Sequence, residues 1–138
     1  MVALETSVAT TNGAAVTTIT MTYTNDRGVG SRTATISSFP ATALQGVFVP
    51  FELQSGDTGV QSIQTLTLGT SLAAGTVHLV AYRPLARLDI VVASLGMAQD
   101  TFALGMPRLY DNTCPFLIFL PSATTAHQIT GQVTYAWG

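Results

Sequence analysis

The chain has no lysine; its five basic residues, Arg27, Arg32, Arg83, Arg87 and Arg108, are all arginine. That absence excludes lysine Schiff-base chemistry and lysine cross-links. Charge of either sign is scarce, at 9% of residues against roughly 25% in typical soluble domains. With a net charge of −2 and no basic run, the chain lacks the clustered cations that neutralise phosphates, which speaks against a nucleic-acid partner. Cys114 is the single cysteine, so no internal disulfide can form. Followed by Pro115 and Phe116, it reads as a small buried hydrophobe. Glu5 and Glu52 are the only glutamates, and no spaced cluster of His, Cys, Asp or Glu offers the three or four close ligands a zinc ion wants. No metal and no cofactor are expected. Long apolar runs are missing too: none approaches the ~18 residues of a membrane span, and the N-terminus lacks a basic-then-apolar leader. The sequence reads as that of a protein made in the cytoplasm, with no membrane partner.

What is present is a hydrophobic content of 47% in 138 residues, enough for one core, so residues 1–138 read as a single domain. Polar duty falls to threonine, serine, glutamine and glycine. Such a surface stays wettable yet can be pressed against another protein without desolvating ions. The exclusive use of arginine fits the same picture, because interface cores enrich arginine and deplete lysine.

Alternation of period two dominates the chain. Val2, Leu4 and Val8 share one parity; Ile19, Met21 and Tyr23 lie opposite Thr18, Thr20, Thr22 and Thr24. Asn12-Gly13 between them is the strongest short hairpin signal, so residues 2 to 24 are expected to pair as a type I′ hairpin with one apolar and one threonine face. Asn25-Asp26-Arg27-Gly28 is turn chemistry. Thr33 to Ile36 is a short strand, and Val47, Val49 and Phe51 alternate around Pro50, which points to an edge strand or bulge. Val60 to Leu68 slips parity between Ile63 and Leu66, the mark of a β-bulge. Thr76 to Arg83 follows, with Pro84 as its stop, and then Leu88, Ile90 and Val92. A helical turn is expected around Ala98 to Leu104. Phe116 to Leu120, apolar on both faces between two prolines, is expected to be a central, doubly covered strand. Ile129, Val133, Tyr135 and Trp137 close the pattern. Eight or nine such strands predict an all-β fold, an antiparallel β-sandwich of jelly-roll-like type.

The residues offer little chemistry. His78 and His127 are the two histidines, but no nucleophile-elbow context supports a Ser-His-Asp arrangement. Asp26, Asp57 and Asp111 sit in turns, where aspartate usually serves its own backbone. No catalytic residue is assigned and the chain is not expected to be an enzyme. Candidate sites are therefore contact surfaces. Arg83 and Arg87, beside Asp89, can fork onto a partner's carboxylate or make an intramolecular pair. The apolar stretch carrying Leu95, Met97, Phe102, Leu104 and Met106, followed by Arg108, can fold back over the sandwich or dock on a neighbour.

In the C-terminal half, Gly59-Val60-Gln61-Ser62-Ile63-Gln64 and Gly75-Thr76-Val77-His78-Leu79-Val80-Ala81-Tyr82-Arg83 resemble small virion structural proteins of tailed bacteriophages. Pro107-Arg108-Leu109-Tyr110-Asp111-Asn112, Pro115-Phe116-Leu117-Ile118-Phe119-Leu120-Pro121 and Gly131-Gln132-Val133-Thr134-Tyr135 carry the same likeness. A short, Thr-rich all-β chain is most similar to the capsid cement, or decoration, proteins of that group. The resemblance implies an outer-capsid location, a major capsid protein as partner and a homo-oligomer, dimer or trimer. A neck, tail or fibre-base component is the structural alternative. A carbohydrate-binding sandwich using Tyr82, Tyr135 and Trp137 is the alternative of another class.

Overall fold

The computed structural model describes residues 1–90, 96–100, 102–120, 130 and 134. Among them seven strands form two antiparallel sheets: β1 (Val2–Thr11), β2 (Val16–Asn25), β3 (Arg32–Phe39), β4 (Thr42–Ala43), β5 (Phe48–Pro50), β6 (Val60–Thr67) and β7 (Ala74–Ala81). The sandwich expected from the alternation is there, with fewer strands than the eight or nine the pattern implied. In the first sheet β7 runs along the length of β1, from Val2↔Ala81 to Thr11↔Ala74, so the short β4 and β5 share the other side of β1. In the second sheet β2 lies between β3 and β6.

The core is what the two facing sheets enclose. Val2, Leu4 and Thr6 of β1 meet Ile19, Met21 and Tyr23 of β2 and Ala34, Ile36 and Phe39 of β3, all buried. Fully burying side chains such as Leu4, Ile19 or Met21 gains about 1.5–3 kcal/mol each, so this half of the sandwich holds the fold together. The opposite parity of β2 gives the threonine face. Thr20 stands between Thr35 and Thr67, and Thr22 between Thr33 and Thr65, with the Thr22 and Thr65 hydroxyls 2.5 Å apart.

The expected hairpin over residues 2 to 24 does not form. β1 and β2 belong to different sheets, and Asn12-Gly13 is a corner between them. Paired as a hairpin, the two strands would put both apolar faces on one side of a single sheet, needing a third layer to cover them. Crossing to the opposite sheet lets each face bury the other. Asn12 serves the corner through its polar groups: its N–H donates to the Ala41 carbonyl at 2.8 Å, and its Oδ1 accepts from the Ala73 N–H at 2.6 Å. Gly13 is not among the positive-φ residues, and a Cβ built there meets nothing within 4 Å. Gly13→Ala is therefore expected to change stability by less than about 1 kcal/mol, and in the stabilising direction; a type I′ turn would instead make it clearly destabilising. Urea unfolding separates the two.

Three finer features follow the sequence. The β2–β3 turn begins at Asn25, whose Oδ1 accepts from the N–H of Arg27 and of Val29, with Gly28 at φ 79°. β6 bulges at Gln64, skipped between Thr22↔Thr65 and Tyr23↔Ile63. β5 with Pro50 lies at a sheet edge, where a missing N–H costs no ladder bond. A short turn also forms at Asp100 to Gly105, where the Leu104 N–H donates to the Asp100 carbonyl and the Asp100 carboxylate caps the Ala103 N–H at 2.7 Å.

Two expected strands are absent from the described residues. Leu88 and Ile90 lie in unpaired chain, 46% and 52% exposed; Val92 falls outside the described residues. Phe116 to Leu120 is neither central nor covered on both faces: it is an unpaired segment on the outside of the first sheet. Alternation and apolarity define faces, but a strand also needs a ladder partner, and among the described residues neither segment has one. Cys114, expected to be buried, is exposed in the unpaired chain before Phe116. The closing run from Ile129 to Trp137, and His127, lie outside the described residues.

Candidate interaction surfaces

One end of the sandwich is closed by a polar clamp. The Asp57 carboxylate, its side chain 3% exposed, accepts from Arg32 Nε at 2.8 Å and Nη2 at 3.2 Å, from the Tyr23 hydroxyl at 2.5 Å and from Asn25 Nδ2 at 2.8 Å. The Tyr23 hydroxyl accepts in turn from the Gln54 N–H at 3.1 Å. The Arg32 bonds first, then those from Tyr23 and Asn25, hold the Asp57 carboxyl well below the usual carboxylate range. Burial and the bond to Asp57 push the Tyr23 hydroxyl upward. Asp57 read in the sequence as a turn residue. It is the centre of a clamp joining β2, β3 and the loop before β6. Every oxygen of the carboxylate is taken by the protein's own donors, so the cluster positions chain and offers nothing to a substrate.

One flank of the sandwich is open among the described residues. β6 and β7 run along the same flank, one in each sheet, and among the described residues no strand pairs with the outer edge of either. Ladder register places Val60, Ile63 and Leu66 of β6, and Val77, Leu79 and Ala81 of β7, on the inward faces. Yet Ile63, Leu66 and Leu79 stay 37%, 39% and 37% exposed. A cleft of about 550 Å³ between Val60–Ile63 and Ala81–Arg83 marks one end of this trough. Uncovered ladder edges above an apolar trough are what a further strand would fill.

A second apolar surface lies on the outer face of the first sheet. A groove of about 830 Å³ is lined by Leu44, Val47, Phe48 and Val80 on one side and by Phe116–Leu120 on the other. Phe48 anchors it, meeting Tyr82 edge-on at 5.2 Å and Phe116 at 5.9 Å between ring centroids. Two residues of the segment project: Leu117 is 91% and Leu120 73% exposed, with Leu44 71% exposed beside them, while Ile118 is 38% exposed. Charge nearby is limited to Glu5, 3.7 Å from His78 Nδ1.

The residues singled out in the sequence are dispersed. Arg83 is exposed on the rim of the β6–β7 cleft. Arg87 pairs within its own chain, Nε to Asp89 Oδ1 at 2.6 Å, with both side chains mostly exposed. Arg87→Ala should shift stability by less than about 1 kcal/mol in urea unfolding, because an exposed pair gains little in water. Phe102 is 93% and Met97 40% exposed, Leu104 and Met106 are half-buried and Arg108 is exposed; Leu95 lies outside the described residues. The structure does not gather these into one patch. The two surfaces it does form, the β6–β7 flank and the Phe116–Leu120 ridge, were not read as sites. The five-residue apolar run between prolines was the available signal for the ridge. The open flank left none, because inward parity looks the same whether or not a flanking strand exists.

Among the described residues, no group of three or more His, Cys, Asp or Glu side chains could hold a metal ion, and no helix is long and apolar enough to cross a membrane. Comparison with protein-family models, characterised proteins and solved structures finds no match.

Proposed function

We propose that this chain is a non-enzymatic virion structural protein: a capsid cement, or decoration, protein that binds major capsid protein subunits on the outer head surface and stabilises the shell. It is made in the host cytoplasm and acts as a dimer or trimer. The observation that carries the reading is the combination of the open β6–β7 flank with the Leu44–Leu120 ridge. Both expose large apolar side chains among the described residues, with charge limited to Arg83 and the N-terminus at the flank and Glu5 at the ridge. The likeness of the C-terminal half to tailed-phage virion proteins supplies the partner.

In this account each copy presses neutral surface, including the threonine face, against capsid subunits. Modest contacts add up because an oligomer engages several at once. Charge contributes little, so capsid binding should change less than about threefold between 50 and 500 mM salt, over which exposed ion pairs are strongly screened. Sedimentation of the purified protein with undecorated shells measures this. A loss of tenfold or more across that range contradicts the apolar mechanism, and no binding to shells contradicts the cement reading. Copy number per particle then decides the location: hundreds place the protein on the shell, a dozen or fewer at the neck, tail or fibre base. Of the three aromatics a glycan platform would need, Tyr82 is half-buried edge-on against Phe48, while Tyr135 and Trp137 lie outside the described residues.

A further inference from the structure

We infer that copies of this chain join by strand donation, the Phe116–Leu120 segment of one copy lying along the outer edge of β6 in another. The inference deepens the homo-oligomer part of the proposed function and does not depend on which shell the oligomer decorates.

Among the described residues donor and acceptor are both without a strand partner, and their needs match. Phe116–Leu120 is apolar at five successive positions, so as a strand it requires cover on both faces. On its own chain the cover is partial and uneven: Phe116 sits on Phe48, Ile118 is the best covered at 38% exposed, and Leu117 and Leu120 are left 91% and 73% exposed. The β6–β7 flank offers what is missing: a row of backbone groups unpaired among the described residues, beside a trough of Ile63, Leu66 and Leu79 between the two sheets. One face of the inserted segment would meet that trough, and the ladder would supply direction and register. Pro115 and Pro121, which donate no N–H, bound the segment and limit pairing to the five residues between them.

Geometry favours a second copy as the occupant. Leu117 and Leu120 already project from their own chain, one on each face of the segment, so it can be handed to a neighbour by releasing the Phe116–Phe48 contact, with the two sheets of either copy unchanged. Each copy gives one strand and accepts one, so a two-fold dimer or a closed ring leaves no donor or acceptor empty. The area is also sufficient. Two phenylalanines, two leucines and an isoleucine present on the order of 500 Å². With the matching trough, each contact reaches about 1,000 Å², the threshold for a specific interface, and reciprocal exchange reaches about 2,000 Å².

Cys114, exposed and two residues before the donor, provides the test. Full-length chains carrying Gln61→Cys, Gln64→Cys or Thr67→Cys along β6 are made as mixtures of ¹⁵N-labelled and unlabelled copies. They are oxidised with diamide, and disulfide-linked peptides are mapped by mass spectrometry. The expected result is a link between Cys114 and at least one β6 cysteine, with mixed-isotope peptides showing that it joins different copies. A link confined to single copies, or none, overturns strand donation. The exposed-site variant Leu117→Glu should in parallel lower the oligomer's association constant at least tenfold, with unchanged circular dichroism. Unchanged association overturns the inference while leaving a differently built oligomer, and the cement reading, standing.

Discussion

Gly75→Ala should cost the fold about 2–6 kcal/mol, a large part of the roughly 5–15 kcal/mol that a domain of this size usually has. Gly75, the second residue of β7, has φ 96° and lies beside the second of two irregularities in its ladder with β1. The first falls at Ser7, between Thr6↔Val77 and Val8↔Thr76; the second lies between Val8↔Thr76 and Thr11↔Ala74. Together they turn Val8 outward, 57% exposed, and bring Thr10 inward to full burial, where its hydroxyl accepts from the Ala43 N–H. At that point the strands approach so closely that a Cβ on Gly75 would stand 2.5 Å from the Ala9 carbonyl oxygen and 2.7 Å from Thr10 Cα. Positive φ strains a side chain by about 1–3 kcal/mol, and backbone displacement in a packed region adds about 1–3 kcal/mol more. Neither neighbour is a flexible side-chain end that could swing away. Urea unfolding of Gly75→Ala beside the Gly13→Ala control measures the effect. A loss below about 1 kcal/mol would mean that the chains do not approach this closely.

Asp57→Ala should be the most damaging single polar substitution, worse than Tyr23→Phe, and it should change the acid sensitivity of the fold. Tyr23→Phe removes one hydroxyl that donates to Asp57 and accepts from Gln54, a loss of about 1–3 kcal/mol. Asp57→Ala strands Arg32, Tyr23 and Asn25 together. The sign of the pH effect follows from the direction of the shift. The folded carboxyl titrates below its ordinary value of 3.8, so its contribution is complete above about pH 5 and is lost as pH falls below about 4. Wild type should therefore lose stability on acidification through that window, and Asp57→Asn should start lower and lose less. Equal acid slopes in the two proteins would remove Asp57 from the account.

Local chemistry was legible in the sequence, while the choice of partner strand was not. The two faces of β2, the bulge at Gln64, the edge position of Pro50 and the Asn25 turn are each set by a few adjacent residues, and each stands where the sequence puts it. Asn12-Gly13 misled because a turn signal states that the chain reverses, without stating into which sheet. Val8 misled because the Ser7 bulge changes its face after six residues of regular alternation. Phe116–Leu120 misled more usefully: its need for cover on both faces was read correctly, but the structure leaves that need unmet within the described chain. The polar clamp was hidden because Asp57, Arg32 and Tyr23 are far apart in sequence and meet only when β2 and β3 pair.

The central claim is that this sandwich acts through association, with its uncovered apolar flank and ridge satisfied by other protein. Solution mass by multi-angle light scattering, across protein concentrations from one to one hundred micromolar, tests it most directly. A defined dimer or trimer throughout is the predicted result. A clean monomer at every concentration would contradict the account, because no second copy would then cover the flank and ridge left exposed among the described residues.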